Sequence, residues 1–97
     1  MFGRRKREED LAAAIAKRGV GAQAEIGDVR RTGATRDAAY ELELTLTFAT
    51  RDGAPVRAVV RQWFSGVTEE GIEADAAVEV MYDRDDPQRV VVLGPRR

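Results

Sequence analysis

The chain contains no cysteine and no histidine. Without cysteine it can form neither a disulfide framework nor a thiolate metal site, a composition compatible with a reducing compartment. Without histidine it lacks the side chain best suited to proton transfer near neutral pH and the commonest nitrogen ligand of transition metals. Lysine is confined to Lys6 and Lys17, so nearly all the positive charge is arginine. That bias is read first as composition and only second as a capacity for phosphate recognition. Long apolar runs are missing too. The longest early one, Leu11 to Ala16, is closed by Lys17-Arg18 and falls far short of the ~20 residues needed to span a bilayer. Glu8-Glu9-Asp10 stand where a secretory signal tolerates no acid. These absences predict a soluble, cytoplasmic chain. There is no Ser–His–Asp set, no glycine-rich phosphate loop and no nucleophile elbow. Glu69, Glu70 and Glu73 fall in a polar stretch that does not supply the burial by which a carboxyl is tuned for acid–base work. The expectation is a non-enzyme without cofactor or metal.

What is present is a small globular composition: 97 residues, 43% hydrophobic and 34% charged, with a net charge of -1. This is enough for one core and too little for a second lobe. Residues 1–7 read as a basic, flexible start, 8–94 as a single β-rich domain with an N-terminal helix, and 95–97 as a polar tail. The helix is predicted over Glu8 to Arg18, with acids in its first turn and bases in its last, as the helix dipole favours. Leu11 and Ile15 share one face, and Gly19 is placed as a C-terminal cap that adopts positive φ.

The strands are read from period-two alternation. Val20, Ala22, Ala24 and Ile26 alternate, but Val29 falls on the other parity with Gly27 at the break, which predicts a β-bulge. Thr32 to Ala38 is read as the following loop. The clearest alternation is Tyr40, Leu42, Leu44, Leu46 and Phe48 against Glu41, Glu43, Thr45 and Thr47. A three-residue turn over Arg51-Asp52-Gly53, with Gly53 left-handed, then pairs Phe48 with Val56, Leu46 with Ala58, Leu44 with Val60 and Tyr40 with Phe64. A two-residue turn would instead bury Arg57 and Arg61 among the leucines. Ser65 to Ala74 reads as a polar connection, and Val78, Val80 and Tyr82 open a fourth strand. Val90 to Leu93 is apolar at every position, which predicts cover on both faces. The fold class expected is mainly β: a small five-stranded antiparallel sheet curled into a partly closed barrel, with one short N-terminal α-helix.

The stretch from Val78 to Val92 consists of a strand, an aspartate-dense turn and a valine-rich strand. Through Tyr82, Asp83, Asp86 and Pro87 it resembles the bacterial domain of unknown function 3592 family, whose members end with a Y-D-P-x-[N/D]-P-like turn between two strands. Gly21-Ala22, Thr32-Gly33, the alternation through Phe48 and the Asp52-Gly53 turn extend the resemblance over about residues 20 to 93. It implies a small β-rich module, often tethered to membranes, with a binding or assembly role.

Three surfaces are candidates for function. Arg57, Val59, Arg61 and Trp63 fall on one outer face, a basic stripe with an aromatic such as single-stranded nucleic acid binders use. Glu41 and Glu43 are predicted opposite Trp63 and Arg61, which neutralises much of the stripe. The competing structural expectation packs Leu11 and Ile15 of the helix onto Val59 and Trp63. Asp83, Asp85 and Asp86 offer oxygen ligands to a hard cation, but aspartate is also favoured in turns for its bonds to nearby N–H groups, and the turn reading is preferred. Arg4-Arg5-Lys6-Arg7 is a weak lure for lipid or nucleic acid, because acids follow at once. The leading expectation is therefore a non-catalytic module that binds an unknown protein partner or itself. The alternative is an OB- or SH3-like single-stranded nucleic-acid-binding barrel. The inward parity has a direct check: Leu44→Ala should cost ~2–5 kcal/mol in denaturant unfolding, and a loss under about half a kcal/mol, the scale of a surface change, would place Leu44 outside.

Overall fold

The computed structural model describes residues 12–66 and 70–95. A helix, α1, over residues 12–18 leads into β1 (Val20–Arg36), β2 (Ala39–Ala49), β3 (Pro55–Phe64), β4 (Ala77–Tyr82) and β5 (Val90–Pro95). All five strands form one sheet in the order β3-β2-β1-β4-β5, antiparallel at every ladder. Read from the other side, β4-β1-β2-β3 is the spatial order of a Greek key, with β5 added as a hairpin on β4. The expected mainly β architecture with one short helix is what the chain adopts.

The hairpin of β2 and β3 has the anticipated register. Phe48 faces Val56, Leu46 faces Ala58, Leu44 faces Val60 and Tyr40 faces Phe64. The Thr50 N–H donates to Ala54 O and the Gly53 N–H to Thr50 O, both at 2.9 Å, and Gly53 takes φ 86. A left-handed φ is the reason glycine stands there. Leu42, Leu44, Leu46 and Phe48 are buried and pack with Ile26, Ala58, Phe64, Val78, Val80, Tyr82 and Val92 in one core. The bulge at Gly27 is present as well: Ile26 faces Leu46, but the next pair is Asp28 with Thr45.

The sheet curls until its two outermost strands meet. Among the described residues no backbone ladder joins β3 to β5, so the barrel is only partly closed. The seam is spanned by side chains. The Gln62 amide donates from Nε2 to Val92 O at 2.8 Å and accepts at Oε1 from the Val92 N–H at 3.0 Å. It offers the same donor and acceptor as a peptide unit, and so stands in for a strand residue beside β5. The Gln88 Nε2 donates to Arg57 O at 3.0 Å. Since each neighbour in the sheet is antiparallel, β3 and β5 run parallel at this seam, and the two bridges advance along both strands in the same direction.

Several expectations are corrected. Thr32 to Ala38 is not a loop, since β1 continues to Arg36 and only Asp37-Ala38 turn. Thr35 pairs with Tyr40 and Arg36 with Ala39, with a second irregularity between Arg31 and Thr35 around Gly33, at φ 95. Val90 to Leu93 is not covered on both sides: Val90 and Val92 are buried, but Leu93 is 54% exposed. The strand reaches Pro95, so the polar tail does not begin there. The Ser65 to Ala74 connection is not wholly polar, since Ile72 is buried and belongs to the core. The helix does not cover Val59, which is 58% exposed; Ile15 is buried at the other end, beside the turn between β4 and β5. The predicted helical residues 8–11, including Leu11, and the basic start at Arg4 to Arg7 lie outside the described residues. Gly19 does end the helix, its N–H donating to Ile15 O at 2.7 Å, but not through a positive φ. The reason is space. A Cβ there would stand 2.5 Å from Ile15 O and 2.7 Å from Tyr82 O, both rigid backbone atoms.

The seam has a measurable signature. Gln62→Leu keeps the bulk but strands the buried Val92 N–H and C=O, and should cost ~1–3 kcal/mol. Hydrogen exchange should quicken at the Val92 amide before it does in β2; unchanged protection at Val92 would mean that the glutamine does not hold the seam.

Candidate functional site

The outer face of β2 and β3 is built by alternation: with the leucines turned in, the odd-numbered residues of both strands point out. The ladder lays them in rows. Thr47 faces Arg57, Thr45 faces Val59, Glu43 faces Arg61 and Glu41 faces Trp63. β1 adds a third column, with Arg30 beside Glu43 and Asp28 beside Thr45.

The Glu43 row is a three-residue charge bridge. Arg30 donates through Nη2 to one carboxylate oxygen and Arg61 through Nε to the other, each at 3.0 Å. Held first by the Arg30 hydrogen bond and then by that of Arg61, the Glu43 carboxyl lies below the ordinary glutamate range. Both arginines remain more than half exposed, so the bridge contributes little to stability and chiefly organises the face. In the next row Glu41 accepts from the Thr32 hydroxyl at 2.8 Å. The Trp63 ring, half-buried, has the Arg36 guanidinium 5.4 Å from its centroid, and Arg31 stands 4.3 Å over Tyr40.

The four residues of the sequence-derived stripe therefore share one face but not one environment. Arg61 is engaged by Glu43, Trp63 has a guanidinium on its ring, and Val59 is open. Arg57 is exposed in a row whose neighbour on β2 is a threonine. Arg30, Thr32 and Arg36 also belong to this surface; reading Thr32 to Ala38 as a loop hid the last two, and Arg30 drew no assignment. Their one visible signal was arginine and threonine at alternate positions beyond the Gly27 bulge.

The Tyr82, Asp83, Asp86 and Pro87 motif sits at one end of the barrel. The Arg51 N–H donates to the Tyr82 hydroxyl oxygen at 2.8 Å, and the Tyr82 ring packs against Phe48 at a centroid distance of 5.4 Å. Tyr82 thus ties the β2–β3 turn to the β4–β5 turn. Asp83 accepts through Oδ1 from the Asp85 N–H at 2.8 Å, and Asp86 through Oδ1 from the Gln88 N–H at 3.1 Å. Asp86 also pairs with Arg89 at 3.4 Å. These are the local bonds for which turns select aspartate. Among the described residues no group of three or more acidic side chains is placed to hold a metal ion. A surface cleft between α1 and this turn is lined by Ile15, Arg18, Asp83, Arg84 and Asp85, so it carries charge of both signs.

Compared with family models, with curated proteins and with solved structures, the chain matches none. Its chemistry must be read from its own surface. No helix among the described residues is long and apolar enough to cross a membrane, which says nothing of strands.

The Glu43 bridge fixes a pH dependence. A carboxyl whose folded value is lowered stabilises the fold above its unfolded value, and that contribution is lost as pH falls through the folded value. In a carboxyl-carbon NMR titration Glu43 should have a midpoint below the ordinary glutamate range, moving back toward it in Arg30→Ala and in Arg61→Ala. An ordinary midpoint in the unmodified chain would refute the bridge.

Proposed function

We propose that this chain is a non-catalytic β-module of the bacterial cytoplasm, related to the domain of unknown function 3592 family, that binds a protein through the outer side of its seam strands. One observation carries the reading. Among the described residues the two large hydrophobic side chains left exposed are Val59 and Leu93, and they lie on β3 and β5, the two strands that meet at the seam. Isolated exposed apolar residues are ordinary, but each of these stands outward on a seam strand, and Val59 is flanked on its own face of β3 by Arg57 and Arg61, an apolar centre with a polar rim. The family resemblance rests on the Tyr82 to Pro87 turn, whose Tyr82 anchor and aspartate bonds give that motif a structural purpose.

A partly open Greek-key barrel is also the architecture of OB-folds, which bind nucleic acid on the face of strands two and three. That reading is the weaker one. Glu43 occupies Arg61, Glu41 lies beside Trp63, and Arg36 stands where a base would stack on the indole.

Affinity capture from a bacterial lysate tests the proposal. A protein enriched by the unmodified chain should be lost with Val59→Asp and with Leu93→Asp, while thermal unfolding changes little, as expected for surface substitutions within about ±0.5 kcal/mol. Retention of the same protein by both variants would sink the reading.

A further inference from the structure

We propose that the partner presents an acidic extended segment to the outer face of β3, with an apolar residue on Val59 and a carboxylate two positions to either side, on Arg57 and Arg61. The inference rests on the preceding reading and specifies its ligand. The three residues alternate on one side of the strand, so Arg57 and Arg61 are about 14 Å apart along it at ~3.4 Å per residue. A partner in extended conformation has the same repeat, and its acids two residues before and after an apolar side chain fall in step with the two guanidiniums.

The available donors fit this ligand. Arg61 spends its Nε on Glu43, and the terminal nitrogens of a guanidinium form the fork that takes a carboxylate. Arg57 faces Thr47, and the acid that continues its row, Glu25, is two strands away, roughly 10 Å at the spacing of a sheet. Contact must come through side chains, because the far edge of β3 lies along β5 and its Arg57 carbonyl accepts from Gln88.

Other occupants fit less well. A second copy meeting β3 antiparallel about Val59 would set arginine against arginine at both ends, a destabilising arrangement. A nucleic acid would bring phosphates beside Glu41 and Glu43, and the Trp63 ring is taken by Arg36.

The test is an amide NMR titration of the full chain with the capped peptide Glu-Thr-Val-Thr-Glu. Lys-Thr-Val-Thr-Lys and a thymidine oligonucleotide serve as comparisons. The acidic peptide should shift amides of residues 57–63 and leave β4 unmoved. Its affinity should fall about fivefold to tenfold in Arg57→Glu/Arg61→Glu, the sum of two exposed ion pairs, and also fall as salt shortens the Debye length. Because a glutamate at 61 would face Glu43, Arg57→Gln/Arg61→Gln provides a milder variant whose dispersed spectrum reports an intact fold. Equal shifts with the lysine peptide or the oligonucleotide, or no shift at residues 57–63 with the acidic one, would overturn the inference. Capture that is lost with Val59→Asp but insensitive to salt and to both double variants would also overturn it, while leaving the seam-strand surface standing. Retained capture in Val59→Asp and Leu93→Asp would remove that surface itself.

Discussion

The closure of the barrel depends on a side-chain amide standing in for a peptide. Five strands in the order β3-β2-β1-β4-β5 leave two bare edges, and bare edges invite pairing with other chains. Gln62 meets Val92 as a neighbouring strand would, and Gln88 reaches back to the Arg57 carbonyl. The leucines of β2, the valines of β4 and β5 and Tyr82 can then share one interior. The same closure fixes where Val59 and Leu93 stand, because an outward residue on either seam strand can only be placed once the strands are held together.

The β2–β3 hairpin was fully legible in the sequence, since its information is local. Alternation set the inward face, and the need to keep Arg57 and Arg61 out of the core chose the three-residue turn, which in turn set every pair from Phe48 with Val56 to Tyr40 with Phe64. The second half of β1 was illegible for the opposite reason. Thr32 to Arg36 has no apolar rhythm and contains Gly33, and it is extended because β2 offers a ladder to pair with. Propensity gave way to tertiary context. Reading that segment as a loop removed Thr32 and Arg36 from the candidate face, although one donates to Glu41 and the other stands over the tryptophan.

Other features escaped the sequence for a shared reason: a residue's partner lay far away in sequence. Gln62 has inward parity but no apolar side chain, and its reason is Val92. Ile72 sits among glycines and acids, and its reason is the core it joins. Gly19 looked like a conformational cap and is instead a clearance, needed because the Tyr82 carbonyl passes close by. Leu93 continued an apolar run that pointed to cover on both faces, whereas only the face of Val90 and Val92 is covered. The Tyr82 to Pro87 motif was recognised as a turn, but its tie through Arg51 to the opposite hairpin could be seen only in three dimensions.

The Greek-key order also governs how the chain assembles. Ala24 lies between Phe48 and Val78, so β1 is engaged by one strand soon after it in the chain and by another much later. The meander of β1, β2 and β3 needs only short loops, whereas docking β4 and then drawing β5 beside β3 requires closing long ones, an entropic cost that grows with separation and slows folding. Until β4 and β5 dock, the leucines of β2 lack the cover they have in the finished core, and exposed apolar surface of that kind favours aggregation.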